Sequence, residues 1–377
     1  MISKIIPLMK SINILTGHTF GGILSVYKVL IPELEKDFLI NLITFDDNSN
    51  NEIVQNIPQI NLNVKTPITG IRMFTFIYKF ISVSRNNNLN VFIINNPSIG
   101  ILVYLSSIIY NVKYFIHSHE PLTNDINNKS AIIKYFYLFL LKKAFKNALS
   151  VICTSESVEK NLKFYLNINN TRIIANPVLI NNILSLSKEK LEQEFTKSEF
   201  NFVTVGRLTK AKGFSDLIKA VNIVKNLTNK SFKVYIIGNG EEYNDLKFKI
   251  SELKLNNIIE LLGYIENPYP YISNSDCYLS TSLWEGFGLT LVYAMLLKKP
   301  IITSKTGGAL ELLEINNSFY DIGNVEDLSN KMLKYIDNNS INNSILELNY
   351  NNATKYDVSN ISKIFKKLIY EKVPYLD

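Results

Sequence analysis

The feature that most constrains this fold is an alternation between short apolar runs and longer segments of helical spacing. In the first half the apolar runs are INIL (12–15), LINLITF (39–45), NVFIIN (90–95), YFIHS (114–118), SVICTS (150–155) and RIIAN (172–176). Between them lie segments with helical periodicity, clearest at GILSVYKVLIPELE (22–35) and IIKYFYLFLLKKAFKNAL (132–149). Strands buried on both faces read as near-continuous apolar runs, and parallel strands need a crossover that a helix supplies. The chain therefore reads as α/β, built from βα repeats with a parallel sheet.

The alternation gives way once, around residues 178–198, to the charged stretch SKEKLEQEFTKSEF. It resumes at FNFVTVG (200–206) and continues through KVYIIG (233–238), IIELLG (258–263), CYLSTS (277–282) and PIITS (300–304). Two Rossmann-like domains are expected, over residues 1–180 and 181–357, with a tail of residues 358–377. The segment SNISKIFKKLIYEK (359–372) reads as an amphipathic helix, with Ile361, Ile364, Phe365, Leu368 and Ile369 on its apolar face. In open parallel sheets, ligands bind at the carboxyl ends of strands, so two such sheets facing each other would enclose an interdomain cleft.

Composition excludes some classes. Hydrophobic residues make up 46% and charged residues 19% of the chain, too apolar for a disordered one. The net charge of +7 favours an anionic partner: nucleotide phosphate, an acidic lipid surface or nucleic acid. Dispersed cations without a nucleic-acid-binding motif disfavour the last of these. Cys153 and Cys277 sit in strand-like runs without zinc spacing, as buried thiols of a reducing cytosol would. Neither a signal-peptide core nor an apolar run of membrane-spanning length is visible. A cytoplasmic protein is expected, with peripheral membrane contact as an option.

The chemistry should follow the strands. FVTVGRLTKAKGFSDLIKA (202–220) is a strand, a glycine, the cations Arg207 and Lys212, and then a helix. Arg207 offers a bidentate fork to phosphate and Lys212 a mobile point charge, a pair able to neutralise a diphosphate without a metal. The plain alternative is two solvated surface cations. WEGFGLTLVYAM (284–295) repeats the logic: Gly286 and Gly288 form a tight loop and a helix begins near Leu289. Free amides near Gly288, Leu289 and Thr290, with the helix dipole, suit a phosphate. Glu285 would repel phosphate but can accept hydrogen bonds from sugar hydroxyls. Gly21 and Gly22 form a second glycine loop at a helix start. The loops at Gly238 (IIGNGEE) and Tyr264 (LLGYIEN) are able to hold a nucleobase by backbone contacts. His18, His117 and His119 are the three histidines. In FIHSHEP, His119 at a strand terminus is a candidate to bind a sugar hydroxyl or polarise an acceptor, against the alternative of a satisfied structural histidine. No metal-ligand set, Walker A loop or Ser-His-Asp order is visible.

Taken together, these segments resemble the family 4 glycosyltransferases, retaining enzymes of GT-B fold and group 1 type. VGRLTKAKGFSDLIKA resembles the family's G-R-x4-K-G-F segment, and STSLWEGFGLTLVYAM its E-x7-E region; GGIL, HSHE, CTSESV, ANPV and TSKTGGALELL follow in the family's order. The resemblance implies an acceptor-binding N-terminal domain, a nucleotide-sugar-binding C-terminal domain, and a tail helix crossing back onto the N-terminal domain. It implies that Arg207, Lys212 and the amides of Gly288–Thr290 hold the donor diphosphate, that Glu285 contacts the donor sugar, and that His119 lies near the transferred sugar. Gly21 and Gly22 would line the cleft. The family's second glutamate, which usually takes the donor ribose hydroxyls, falls at Tyr293. A phenol offers one neutral oxygen in place of a charged bidentate acceptor, a loss of roughly 1.5–3 kcal/mol in donor affinity.

The expectation is a retaining, metal-independent transferase that needs no cofactor. It would move a sugar from a UDP- or GDP-sugar donor to a hydroxyl of a glycan or lipid-linked acceptor in bacterial surface polysaccharide synthesis. Tyr293 keeps a non-catalytic sugar-binding or partner subunit as the alternative, with a nucleotide-sugar epimerase behind it. Residues 132–149 and 72–85 are basic and aromatic, as a helix lying on acidic lipid would be; the plain alternative is a core helix with its lysines at the solvent edge.

Overall fold

The structure is a computed structural model that describes residues 10–15, 22–45, 57–64, 70–123, 126, 129–196, 198–314, 318–338 and 342–374. Contacts divide the chain into two units, Met1–Pro177 with Val358–Asp377, and Val178–Asp357.

The first unit runs β1 (Lys10–Leu15), α1 (Gly22–Leu34), β2 (Phe38–Thr44), β3 (Gln59–Asn61), α2 (Ile71–Asn86), β4 (Val91–Ile94), α3 (Pro97–Ile109), β5 (Lys113–Ser118), α4 (Ala131–Asn147), β6 (Ser150–Cys153), α5 (Glu156–Leu166) and β7 (Thr171–Ile173). Its seven strands are ordered β3-β2-β1-β4-β5-β6-β7, and every pairing is parallel. β4 and β6 are buried along their whole length, as their unbroken apolar runs require. The aromatic rings of Phe45, Phe76, Phe80 and Phe92 follow one another through the core at centroid distances of 5.6, 5.7 and 4.8 Å.

The second unit runs α6 (Ile180–Leu186), β8 (Phe200–Val205), a 3-10 turn at Lys210–Lys212, α7 (Phe214–Leu227), β9 (Phe232–Ile237), α8 (Tyr243–Glu252), β10 (Ile259–Gly263), α9 (Tyr269–Asn274), β11 (Cys277–Ser280), α10 (Leu289–Leu296), β12 (Ile301–Ser304), α11 (Gly307–Leu312), β13 (Ser318–Tyr320), α12 (Val325–Asn338) and α13 (Asn343–Thr354). Its sheet is ordered β10-β9-β8-β11-β12-β13, again parallel throughout. Each sheet reverses its winding once, between β1 and β4 and between β8 and β11. At such a point neighbouring loops diverge and leave a crevice at the carboxyl ends of the strands.

The apolar runs of the sequence all become strands. The two strands without such a run, β3 and β13, are three-residue edge strands. Each pairs with one neighbour only, so half-buried side chains suffice and no apolar run is needed. Cys153 and Cys277 are buried free thiols in β6 and β11.

After the second unit the chain returns to the first as α14 (Val358–Lys372), which packs on α1. Ile361, Phe365, Leu368 and Ile369 are buried. Ile364, expected on the same face, is 49% exposed. The helix has room for one inward residue at that turn, and Phe365 takes it, lying 5.7 Å from the His117 ring. The Phe38 and Tyr370 rings (5.2 Å) and the Lys366–Asp37 ion pair extend the contact. Replacing Phe365 with Ala should cost the first unit about 3–5 kcal/mol, the range for truncating a buried aromatic. Denaturant unfolding followed by tryptophan-independent far-UV dichroism checks this, and a cost below about 1 kcal/mol would mean that α14 docks without Phe365.

Candidate functional site

In the second unit, the loops after β8 and β11 flank the switch point, and those after β9 and β10 follow in order on the β8 side. The loop after β8 carries Gly206 and Arg207 and turns through Lys210–Lys212 into α7. Its backbone is clamped on two sides. On one side, Gly206 N donates to Ile237 O (2.9 Å) and Leu208 N to Asn239 O (3.0 Å). On the other, Leu283 N donates to Ala211 O (2.7 Å) and Thr281 Oγ1 to Lys212 O (2.8 Å). Two glycines make this fit possible. A Cβ on Gly213 (φ +64°) would stand 2.1 Å from Thr281 O, and one on Gly238 (φ +144°) 1.9 Å from Gly206 O. The G-F pair of the sequence thus fixes where Lys212 points.

Lys212 points at Glu285. Its Nζ lies 2.5 Å from Glu285 Oε2, which also accepts from Ser282 Oγ at 3.1 Å. Both side chains are largely buried, 22% and 18% exposed, so this pair is better shielded than a surface ion pair. The sequence assigned the two residues to neighbouring parts of one ligand but did not anticipate their contact. Arg207 is 67% exposed, with only a loose 3.7 Å approach to Glu241, and remains available to an anion.

Gly288 adopts a left-handed conformation and precedes α10 with no side-chain cap. The amides at Leu289 and Thr290 therefore begin the helix without a capping oxygen, which leaves them for an anion. Gly238 N donates to Gly263 O (2.7 Å), tying the β9 and β10 loops together, and Tyr264 beyond it is 76% exposed. Tyr293, one turn into α10, meets Tyr269 edge to face at 5.1 Å. Burial raises the Tyr293 phenol, and Tyr269 and Tyr278 raise it further. It stays a neutral hydroxyl, already hydrogen-bonded to Tyr269. Sequence reasoning missed Tyr269 and Tyr278. Their only signal is that Tyr278 lies in the apolar run of β11 and Tyr269 at the start of the short helix α9.

In the first unit, His119 follows β5. Its Nε2 is 3.5 Å from Asn95 Oδ1, and its ring lies tilted at 4.0 Å from that of His117. Desolvation pulls His119 down to about 3, with Asn176 opposing, and holds His117 well below the usual imidazole range. Both rings are neutral at physiological pH. Gly22 starts α1, while Gly21 and His18 lie outside the described residues. Among the described residues there is no cluster of three or more His, Cys, Asp or Glu able to hold a metal ion, and no helix is long and apolar enough to cross a membrane.

Comparison with known proteins identifies the family. The model for glycosyl transferases group 1 matches residues 187–355, and that for glycosyltransferase family 4 matches residues 20–181. The chain belongs to this family and is a glycosyltransferase of GT-B fold. It is 31% identical over 292 residues to the uncharacterized glycosyltransferase MJ1059 of Methanocaldococcus jannaschii, a match that takes in 74% of this chain and 59% of that protein. It is 25% identical to the N-acetylgalactosamine-N,N'-diacetylbacillosaminyl-diphospho-undecaprenol 4-alpha-N-acetylgalactosaminyltransferase of Campylobacter jejuni, over 78% of this chain and 80% of that one. Anabaena HepE, solved in complex with UDP and glucose, superposes with a TM-score of 0.80 at 20% identity, covering 96% of this chain and 99% of that chain.

The neutral histidines carry a pH dependence. Unfolded imidazole titrates near 6.5 and folded His119 near 3, so the unfolded chain binds more protons between these values. Their contribution to stability is complete above about 6.5 and is lost as pH falls towards 3. Denaturation midpoints measured at about pH 7.5 and pH 5 should drop on acidification, and His119→Asn should shrink that drop. An equal drop in the variant would assign the acid sensitivity elsewhere.

Proposed function

We propose that the chain transfers a sugar, with retention and without a metal ion, from a nucleotide-diphosphate-sugar to a hydroxyl of a glycan or lipid-linked acceptor. The reading places it in surface polysaccharide synthesis. The observation that carries it is the Lys212–Glu285 pair beside exposed Arg207 and the uncapped start of α10. Cations and amides for a diphosphate stand next to a carboxylate for sugar hydroxyls. The lipid-linked acceptor draws on the name of the Campylobacter relative, which acts on a diphospho-undecaprenol glycan. A UDP donor draws on the ligands of Anabaena HepE.

The chemistry would run as follows. The acceptor oxygen forms a bond to the anomeric carbon from the face the leaving group departs, and the carbon–oxygen bond to the diphosphate breaks. The acceptor proton passes to the departing diphosphate oxygen. Arg207, Lys212 and the amides of Leu289 and Thr290 stabilise the charge that grows on the diphosphate. Glu285 holds the sugar, and its contact with Lys212 keeps that lysine oriented before donor arrives. Tyr293 meets the ribose as a neutral hydroxyl, so donor selection leans on the diphosphate and sugar. Arg207→Ala, Lys212→Ala and Glu285→Ala should each lower donor turnover about 10- to 150-fold, as loss of a charge-assisted hydrogen bond of about 1.5–3 kcal/mol requires. Wild-type protein that neither transfers nor hydrolyses any UDP- or GDP-sugar would instead support a non-catalytic partner subunit.

The same reading includes an anionic membrane surface as the place of work. On α2, Ile71, Phe74 and Tyr78 are exposed, and on α4, Ile132, Ile133, Tyr135, Phe136 and Phe139. α3 packs against both helices, so the two sets share one side of the sheet. The interleaved cations Arg72, Lys79, Lys134, Lys142, Lys143 and Lys146 match acidic headgroups. Leu141, Ala144 and Phe145 join one face of α4 to the core, and the exposed aromatic side chains lie on the other. Co-sedimentation with phosphatidylglycerol vesicles at low salt should retain the wild type and lose a Tyr135→Ser, Phe136→Ser, Phe139→Ser triple variant. Wild type left in the supernatant would refute the membrane contact.

A further inference from the structure

Helix α10 keeps one face open and buries the rest. Leu291, Val292, Ala294, Met295 and Leu296 are buried, while Leu289, Thr290 and Tyr293 are partly exposed. Tyr293 therefore shares a face with the uncapped start of the helix and stands one turn, about 5.4 Å, further along. Glu285 lies before that start, where a Cβ on Gly288 would come within 3.6 Å of its Cγ. The two ends of a diphosphate held on these amides point in opposite directions. A hexose that meets Glu285 leaves the nucleoside end running along α10, and the first polar side chain beyond the amides is Tyr293.

The pentose then meets an uncharged surface. Tyr293 and Tyr269 pack edge to face with ring centroids 5.1 Å apart. Burial raises both phenols; the hydrogen bond between them raises Tyr293 further and opposes the rise at Tyr269, as when Tyr293 donates and Tyr269 accepts. Glu285, the carboxylate closest in sequence, is held by Lys212 and Ser282. What remains for a ligand is an acceptor on Tyr293 and the proton of Tyr269. A hydroxyl both donates and accepts, so a single one satisfies the pair.

That count selects the class of nucleoside. A carboxylate can accept from both vicinal hydroxyls of ribose, and a pentose lacking one of them leaves a charged oxygen unpaired. A site built in that way rejects the deoxy analogue, because the group left without its partner is costly. The tyrosine pair has no second acceptor to leave unpaired. A 2'-deoxypentose keeps its 3'-hydroxyl and satisfies the pair as fully as ribose does.

We propose that Tyr293, paired with Tyr269, makes this chain indifferent to the 2'-hydroxyl of its donor, so that it takes 2'-deoxyribonucleoside diphosphate-sugars on equal terms with ribonucleoside diphosphate-sugars. The proposal rests on the sugar-transfer reading above, and Tyr293 is the residue that sets this specificity.

Titration calorimetry on the full chain tests it with UDP, GDP and 5-methyl-UDP, each against its 2'-deoxy counterpart. In the wild type each deoxynucleotide that binds should do so no more than about threefold more weakly than its ribonucleotide. Tyr293→Glu, first shown to keep wild-type far-UV dichroism, should gain a preference of about tenfold or more for the ribonucleotide, as a charge-assisted hydrogen bond gives. Should Tyr293→Glu not fold, Tyr293→Phe takes its place and should weaken both members of a pair to the same extent. A wild-type preference for the ribonucleotide above about threefold would overturn the proposal and leave the sugar-transfer reading standing. A folded Tyr293→Glu without the gained preference, or a Tyr293→Phe that weakens only the ribonucleotide, overturns it as well. If no member of any pair binds, the sugar-transfer reading itself fails and takes the proposal with it.

Discussion

Every strand in both sheets runs the same way, and the rest of the structure follows from that. A parallel neighbour can be reached only by a crossover, so every loop that leaves a strand's carboxyl end leaves the same edge of its sheet. In the second unit this gathers Gly206–Lys212, Gly238, Gly263–Tyr264 and Thr281–Thr290, scattered over more than eighty residues of sequence, onto one edge. In the first it gathers Asn95 and His119. Backbone hydrogen bonds between adjacent loops then hold them in register: Leu208 to Asn239, Gly238 to Gly263, Leu283 to Ala211. The loops are shaped by one another as much as by their own residues. The close approaches at Gly213 and Gly238 are where that mutual fit leaves no space for a side chain.

Much of this was legible because it is written in periodicity. Strands buried on both faces cannot avoid an apolar run, and β1, β4, β6, β8 and β11 each carry one. The start of α10 was legible from G-F-G-L, since a glycine that turns the chain and a helix that follows are local events. What escaped was non-local. Nothing in the sequence states that Lys212 and Glu285 are in contact, because two separate loops must be clamped together first. Nor does it state that Tyr269 reaches Tyr293, since the pair is set by how α9 and α10 pack. Ile364 was misread for a related reason: the helical stripe was broad enough to hold it, but at that turn the buried residue is Phe365, beside the His117 ring. β3 and β13 were silent because edge strands need little apolar surface.

The two units arrange their polar side chains at the strand ends in opposite ways. The second uses ions: a shielded Lys212–Glu285 pair and an exposed Arg207, oriented by backbone clamps. The first uses neutral groups, where burial keeps His117 and His119 unprotonated and Tyr27 and Asn95 order them. A diphosphate calls for charge, whereas hydroxyls are sorted by direction, and a neutral imidazole between hydroxyl and amide partners supplies direction without drawing anions.

The return of α14 to the first unit sets an order on biosynthesis. The second unit is one unbroken segment, 178–357, and has all of its residues as soon as that segment leaves the ribosome. The first unit begins earlier yet lacks Ile361, Phe365, Leu368 and Ile369 until the second has been made. During elongation the flank of α1 and the back of His117 stand uncovered, awaiting a helix not yet made. Of the two units, the one translated earlier is thus the one completed later, and its unfinished surface is what nascent-chain chaperones would meet.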